Sequence, residues 1–556
     1  MTSEKQTIAD SKKLKIKFFL VLLLFSTVSP INSLAISNSF NETSSLTLSD
    51  YSLDFATFFG GKSDDVIRDI AVDNEGSIYA VGYSYSSNFP LYNAVNTTVP
   101  SGNPSAFVIK FDQNGHLLFS ILFGGSGYDI ANGLVIDQDL NVYIVGTTYS
   151  TNFPVLNAYQ NTNYGNSSIF VTKFDSSGQM LFSSYLGGSG YDSGYDIALD
   201  KANNVYVTGY SDSLDFNTKY PFQSTKGDFY DVVLAKFSSM GELLFSTYYG
   251  GDNIDEAYGI QVDESGNSYI SGTTLSSNLP LLGNSYLTNI QGNQDIFYAI
   301  FDTTGNLTYA TYFGGTDYDT SYALEVDSSH NVYLTGYTRS TNLPTTGNAY
   351  NPTYSSLNDI YLTKFLPDHS LGYSTYLGGD GNEVAYKMFL DSSGNIFIAG
   401  LTGSTNFPVV NAFNNTYSAS SDSIIVKFTS DFNLEYSTYY GGIGADSFQS
   451  IALDSIGNLI VGGYSNSVDM FTKNAYYTKI AGNIDCFLAK FTDLNNPTSQ
   501  FSSIQSVTTQ STNGDTTNNS LGSEDILSNP FFQGILGLAI VSVLLNVLFL
   551  FKRRKK

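Results

Sequence analysis

The sequence predicts an all-β fold, a seven-bladed β-propeller with four strands per blade, and three observations lead there. Gly-Gly pairs begin at Gly60, Gly124, Gly187, Gly250, Gly314, Gly378 and Gly441, at steps of 64, 63, 63, 64, 64 and 63 residues. Each repeat holds four short runs rich in β-branched and aromatic residues, bounded by Gly, Asn, Asp and Ser. A copy of the fourth run stands before the first repeat, and the last repeat stops after its third. Length alone would suggest several unrelated domains, but a fixed period overrides that prior.

The second repeat shows the four runs well: GLVID, NVYIVGTT, IFVTKFD and MLFSSYLGG. A four-stranded sheet of this size cannot bury both faces alone, so the repeats must stack as blades. Within each repeat an Asp follows the first Gly by 13 residues (Asp73 to Asp454) and a Gly follows it by 22 (Gly82 to Gly463). The leading fragment LDFATFFGG (Leu53–Gly61) and the final run FLAKF (Phe487–Phe491) complete one another. The N-terminal strand is therefore expected to join the last blade and close the ring, giving a propeller over residues 53–491.

Both ends carry targeting signals. Lys12, Lys13, Lys15 and Lys17 precede the apolar run Phe18–Phe25, and Ser33–Ala35 offers a cleavage site, so residues 1–35 read as a signal peptide and 36–52 as the leader of the mature chain. Residues 492–529, rich in Ser, Thr and Asn, read as a stalk. A single transmembrane helix is expected over 530–551, because Phe531–Phe551 holds no charge and 21 helical residues span roughly 30 Å. The basic tail 552–556 (KRRKK) should stay cytoplasmic, which places the propeller outside the cell on a single-pass cell-membrane anchor.

Composition narrows the function. The net charge of −25 offers no basic face for phosphates, so no nucleic-acid partner is expected. The lone Cys486 rules out an intramolecular disulfide and reads as a small buried hydrophobe.

The ordered motifs GGsgyD, D-x-x-G-N, S-x-N-F-P, N-A-Y, D-x-F-x-x-K-F and FSTYxGG recur together over residues 53–491, and this pattern resembles the SBBP family of β-propeller repeats. The resemblance implies an extracellular surface or adhesion-type protein; it does not imply a reaction. The third unit departs from it with DFNTKYPF (Asp215–Phe222), and the seventh with Met470-Phe471-Thr472.

Acids lie five residues after each first Gly: Asp65, Asp129, Asp192, Asp255, Asp319, Glu383 and Asp446. If the first strand lines the axis, they form a ring near one mouth of the channel. Such a ring either accepts backbone N–H groups in its own turns or attracts a hard cation such as Ca²⁺; the architectural role is expected. The D-x-x-G-N turns lack the ligand count of a calcium loop and read as hairpins. Lys110, Lys173, Lys236, Lys364, Lys427 and Lys490 recur before the Phe of the third strand, with Ile300 in the fourth copy. A catalytic lysine would be unique, so these read as ion pairs or snorkelling side chains. His116, His330 and His369 fall in short hairpin turns, on the face opposite the long loops, and read as surface residues.

The connection between the second and third strands runs for about twenty residues, well above ordinary hairpin loops. Its first part repeats and should pack. Its later part, as in Tyr159–Asn166 and Tyr350–Tyr354, is rich in Tyr, Asn, Ser and Thr and suits binding of protein or glycan surfaces. Sequons stand at Asn41, Asn96, Asn166, Asn306, Asn414 and Asn518. The expectation is a non-enzymatic cell-surface binding or adhesion module with an extracellular protein or glycan ligand, no catalytic, metal or cofactor residues, and membrane attachment through the C-terminal helix. The alternatives are an extracellular propeller lyase or glycosidase and a structural envelope protein. An enzyme would need polar residues that break the repeat and converge in one pocket, and no such set is legible in the motifs.

Overall fold

The computed structural model describes residues 50–95 and 103–494. The predicted signal peptide, the stalk beyond Leu494, the membrane helix and the basic tail lie outside the described residues. No helix among the described residues is long and apolar enough to cross a membrane.

The described chain holds 28 strands in seven four-stranded antiparallel sheets. Numbered in chain order, the first strand is β1 (Tyr51–Phe59), and the first blade is β2 (Asp65–Val72), β3 (Ile78–Ser84), β4 (Ser105–Phe111) and β5 (Leu117–Phe123), side by side in sequence. The following blades begin at β6 (Asp129–Ile136), β10 (Asp192–Leu199), β14 (Asp255–Val262), β18 (Asp319–Val326), β22 (Glu383–Leu390) and β26 (Asp446–Leu453). Each of these leading strands is innermost and meets the leading strands of both neighbouring blades, so together they line the axis.

Blades pack face to face, and that explains why the middle strands lack the in–out alternation of a one-sided sheet. Every residue of β4 is buried. Seven apolar clusters fill the seven blade-to-blade interfaces. Tyr and Phe dominate them, each contributing about 2–3 kcal/mol of burial.

The ring closes as the broken repeat predicts. The last sheet runs β26, β27 (Leu459–Ser465), β28 (Asp485–Asp493), β1, with Leu53 opposite Phe491, Ala56 opposite Ala489 and Phe58 opposite Phe487. Phe55 and Phe59 fill the interface with the first blade, and Phe58 fills the one on the other side. Tyr51, Ser52, Thr492 and Asp493 belong to this ladder rather than to the leader or the stalk.

The long second-to-third connections are tied to the sheet. Each runs back along its blade's outermost strand and pairs with it: Leu156 with Ser183, Lys219 with Ser246, Val410 with Ser437, and Lys473 with Ala56 in the closing blade. An outer strand left bare would invite edge-to-edge association, and the connection covers it. Its repeated first part packs as expected. Phe89, Phe153 and Phe407 are buried, and Phe216, Leu279, Leu343 and Met470 fill the same place in the other blades. The Tyr of FSTYxGG holds it there: Tyr376 Oη accepts from Leu343 N at 2.8 Å and donates to Ser340 O at 2.7 Å.

Candidate functional site

The acids of the predicted ring sit at the axial end of each blade, but their carboxylates turn into the Gly-Gly turn and all seven are fully buried. Asp192 Oδ2 accepts from Gly188 N at 2.8 Å and from Ser213 Oγ at 2.9 Å, while Ser211 Oγ donates to Oδ1. The Gly N–H bond recurs in all seven blades, at 2.6–2.9 Å. The second Ser is the Ser of S-x-N, and its Oγ also accepts the N–H of the residue two after the second Gly of the pair, as Ser276 does from Asn253 at 2.8 Å. The motifs are therefore one device that staples successive blades. The first Gly is required because a Cβ on Gly378 would lie 2.4 Å from Asp359 Oδ1 and 2.7 Å from Glu383 Oε2.

That contact exposes a second set of acids, the Asp of the recurring D-x-F-x-x-K-F motif, to which the sequence reading gave no role. Asp231, Asp295, Asp359, Asp422 and Asp485 open the third strands of five blades, buried beside the first set, while Ser105 and Ser168 take the position in the other two. Burial, with the neighbouring carboxylate adding to it, pushes Asp231 and Asp295 up to about 7. Burial also pushes Asp65, Asp129, Asp192, Asp255 and Asp422 up to about 6.

The other repeated residues have structural partners. Asp391 Oδ1 accepts from Ser393 N and Asn395 N, both at 2.8 Å, so the D-x-x-G-N Asp closes its own turn. The same Asp in other blades meets the third-strand Lys: Lys236 and Asp200 lie 3.2 Å apart, Lys490 and Asp454 3.1 Å. Lys173 also sits 4.5 Å from the centre of the Tyr143 ring. Cys486 is fully buried. His369 is not a free surface residue: it stacks on Tyr309 of the preceding blade, with centroids 3.5 Å apart.

The axial channel is where the repeat breaks. Every leading strand carries a β-bulge eight residues after its first Gly, leaving Arg68, Asn132, Tyr195, Tyr258, Tyr322, Tyr386 and Gln449 outside the ladder. A bulge re-aims a side chain, and here it builds one ring of seven around the axis. Tyr195, Tyr258, Tyr322 and Tyr386 touch in sequence, with centroids 4.9, 5.2 and 5.6 Å apart. The next layer holds Lys387, whose Nζ lies 3.6 Å from Asp69 Oδ1 and 3.5 Å from Asp196 Oδ1. Burial would lower this lysine, but Asp196, Asp69 and Glu325 hold it well above the ordinary value. Burial pushes Glu325 up to about 8 although Lys387 opposes it. Three blades thus share one ion cluster across the lumen. The sequence held a signal: aligned on the repeat, these two columns change residue type from blade to blade, Arg, Asn, Tyr and Gln in one and Asp, Gly, Ala, Lys and Ser in the next.

From the channel an aromatic path leads outward over the Gly-Gly face. Arg68 Cζ lies 5.6 Å from the Tyr83 ring. Tyr83, Tyr85, Tyr128, Tyr149 and Tyr191 then follow at 5.9, 6.4, 6.1 and 6.5 Å. Tyr85, Tyr128, Tyr149 and Tyr191 are 43%, 46%, 41% and 41% exposed, on the first three blades; Tyr318 of the fifth blade, at the repeat position of Tyr128 and Tyr191, is 39% exposed and lies 5.7 Å from the Arg339 guanidinium.

The closed ring of seven four-stranded blades makes this protein a β-propeller repeat protein. The chain belongs to the SBBP β-propeller repeat family, whose repeat matches residues 54–90, 118–154, 181–217, 244–280, 308–344 and 372–408. It is 23% identical over 340 residues to the regulatory protein FlaEY of Caulobacter vibrioides, covering 57% of this chain and 35% of that protein. It is 23% identical over 153 residues to an uncharacterized WD repeat-containing protein of Acanthamoeba polyphaga mimivirus, covering 25% of this chain and 11% of that one. The chain thus spans about a third of the first relative and about a tenth of the second. Among solved structures, the WD40 propeller domain of Doa1 superposes with a TM-score of 0.41 at 11% identity, covering 80% of this chain and 98% of that one. A gluconolactonase from Xanthomonas campestris gives 0.30 at 11% identity, covering 63% and 92%.

Proposed function

We propose that the propeller is a non-enzymatic binding module that takes its ligand on the Gly-Gly face, over the first three blades and the channel mouth. The observation that carries this is the aromatic path Tyr85–Tyr128–Tyr149–Tyr191: exposed and continuous over three adjacent blades, whereas at the matching positions of the other four only the lone Tyr318 is an exposed tyrosine. Repeat architecture needs the same residue in every blade, so a feature confined to three blades is free to serve a ligand. Exposed tyrosines supply large, rigid contact area at low entropic cost. The charged groups in the channel support a binding role over a catalytic one, since Lys387 is neutralised by two carboxylates and Glu256 accepts from Tyr258. The N-terminal signal and the apolar C-terminal run support presentation of this face outside the cell.

The test is a screen of the purified full-length protein against glycans and cell-surface proteins, repeated with Tyr128→Ser/Tyr149→Ser. Both rings are on the surface, so the variant should melt like the parent. Ligands of the parent should bind the variant about tenfold more weakly or worse, the scale of losing one or two interface anchors. A protein that captures nothing, or a variant that binds as well as the parent, overturns the reading.

A further inference from the structure

Arg68 is the exception in the axial ring. The same bulge in the other six blades presents an amide or a phenol; here it presents a guanidinium. The chain carries a net charge of −25, and its other channel cation, Lys387, lies between Asp69 and Asp196. Arg68 has no carboxylate within ion-pair distance among the described residues. Its contacts are Gln449 Oε1 at 3.4 Å and the face of Tyr83, both neutral, and its side chain is exposed to the lumen. Its charge is felt across the channel, where it lowers the phenols of Tyr195, Tyr322 and Tyr386 against the larger upward effect of their burial or of Glu256.

An exposed guanidinium free of counter-charge at a channel mouth is a standing site for an oxyanion, because its planar fork makes bidentate, charge-assisted bonds to a carboxylate. The surroundings narrow the ligand. Phenol hydroxyls and the amides of Asn132 and Gln449 match a hydroxyl-rich molecule, and aromatic faces match the C–H faces of a pyranose. We infer that the channel mouth recognises an acidic saccharide, its carboxylate on Arg68 and its neighbouring sugars along Tyr83 and Tyr85. This inference rests on the binding-module reading and adds the ligand class to it.

The test is calorimetric titration of the full-length protein with tetramers of galacturonate, glucuronate and mannuronate, with their neutral methyl esters, and with tetra-aspartate. At least one uronate tetramer should bind, about tenfold or more above its methyl ester, with affinity falling as salt rises. Arg68→Gln keeps the length and a donor but removes the charge, and should lose about tenfold or more, while Arg68→Lys recovers part of it. Both variants should keep the parental melting temperature, since the side chain is not part of the core. Equal binding of the methyl ester, undiminished binding by Arg68→Gln, or no uronate binding overturns the inference. Tetra-aspartate binding as well as the uronates would overturn the saccharide assignment. If ligands from the broad screen are lost with Tyr128 and Tyr149 yet ignore Arg68, the binding module stands and the acidic sugar falls.

Discussion

Asp192 shows why an acid recurs five residues after each first glycine: it ends three hydrogen-bond donors in a buried turn. Asp192→Ala should cost about 2–4 kcal/mol, because a buried N–H loses its acceptor, and chemical denaturation will measure it. Added Ca²⁺ should leave the melting midpoint unchanged, since these carboxylates are already occupied; a midpoint that rises with Ca²⁺ would restore the cation reading. The paired acids make a pH prediction. Asp231 is faced by Asp255 and Lys226, and Asp295 by Asp319; burial and the like charges of Asp255 and Asp319 raise Asp231 and Asp295 to about 7, with Lys226 opposing the rise at Asp231. A carboxyl whose folded value exceeds its unfolded one binds extra protons when folded, so its contribution is full below about pH 4 and is lost as pH rises through 6 to 7. The denaturation midpoint should therefore fall between pH 5 and pH 8, and Asp295→Asn should flatten the slope. A midpoint that rises over this interval would show that the pairs are not protonated. The first set of acids was legible because it recurs seven times. The second was visible only as the Asp of D-x-F-x-x-K-F, which Ser105 and Ser168 interrupt, and its pairing was not, because only the fold brings Asp359 against Glu383.

Strand β1 is the element on which the ring depends, with Phe55 and Phe58 facing different blade interfaces. Deleting residues 36–59 should lower the melting temperature of the whole propeller in one cooperative step, and Phe58→Ala alone should cost about 3–5 kcal/mol. A truncated protein that melts as high and as sharply as the intact one would refute closure by this strand. The long connections depend on one hydroxyl each: Tyr376→Phe strands Leu343 N and Ser340 O and should cost about 1–2 kcal/mol, measured by urea denaturation. Period and composition gave the strands, because β-branched and aromatic runs between Gly and Asn have few other readings. The path of the connections was hidden, since pairing of Leu156 with Ser183 uses backbone groups that any sequence supplies.

Across the whole molecule, Lys387 links blades that are far apart in sequence through Asp69 and Asp196. Lys387→Met should destabilise the propeller by about 2–3 kcal/mol near neutral pH, less than for a fully buried pair because the amine is partly wet. The loss should shrink in acid, where Asp196 takes up a proton, and denaturation at two pH values separates this from a packing defect. This cluster and the ring of Arg68 and the tyrosines escaped the motif reading for one reason. The bulge shifts side-chain parity within each leading strand, so simple alternation assigns those columns to the wrong side. The closing pair has a consequence of its own. Tyr51 lies opposite Asp493, so the seam of the ring runs inside a hydrogen-bonded sheet, between its two outer strands, rather than between two blades. A circular permutant joined across that seam and reopened at Gly124 would have to hold its ends together by side-chain packing alone, and it should breathe there, with fast amide exchange in the strands that flank the new cut.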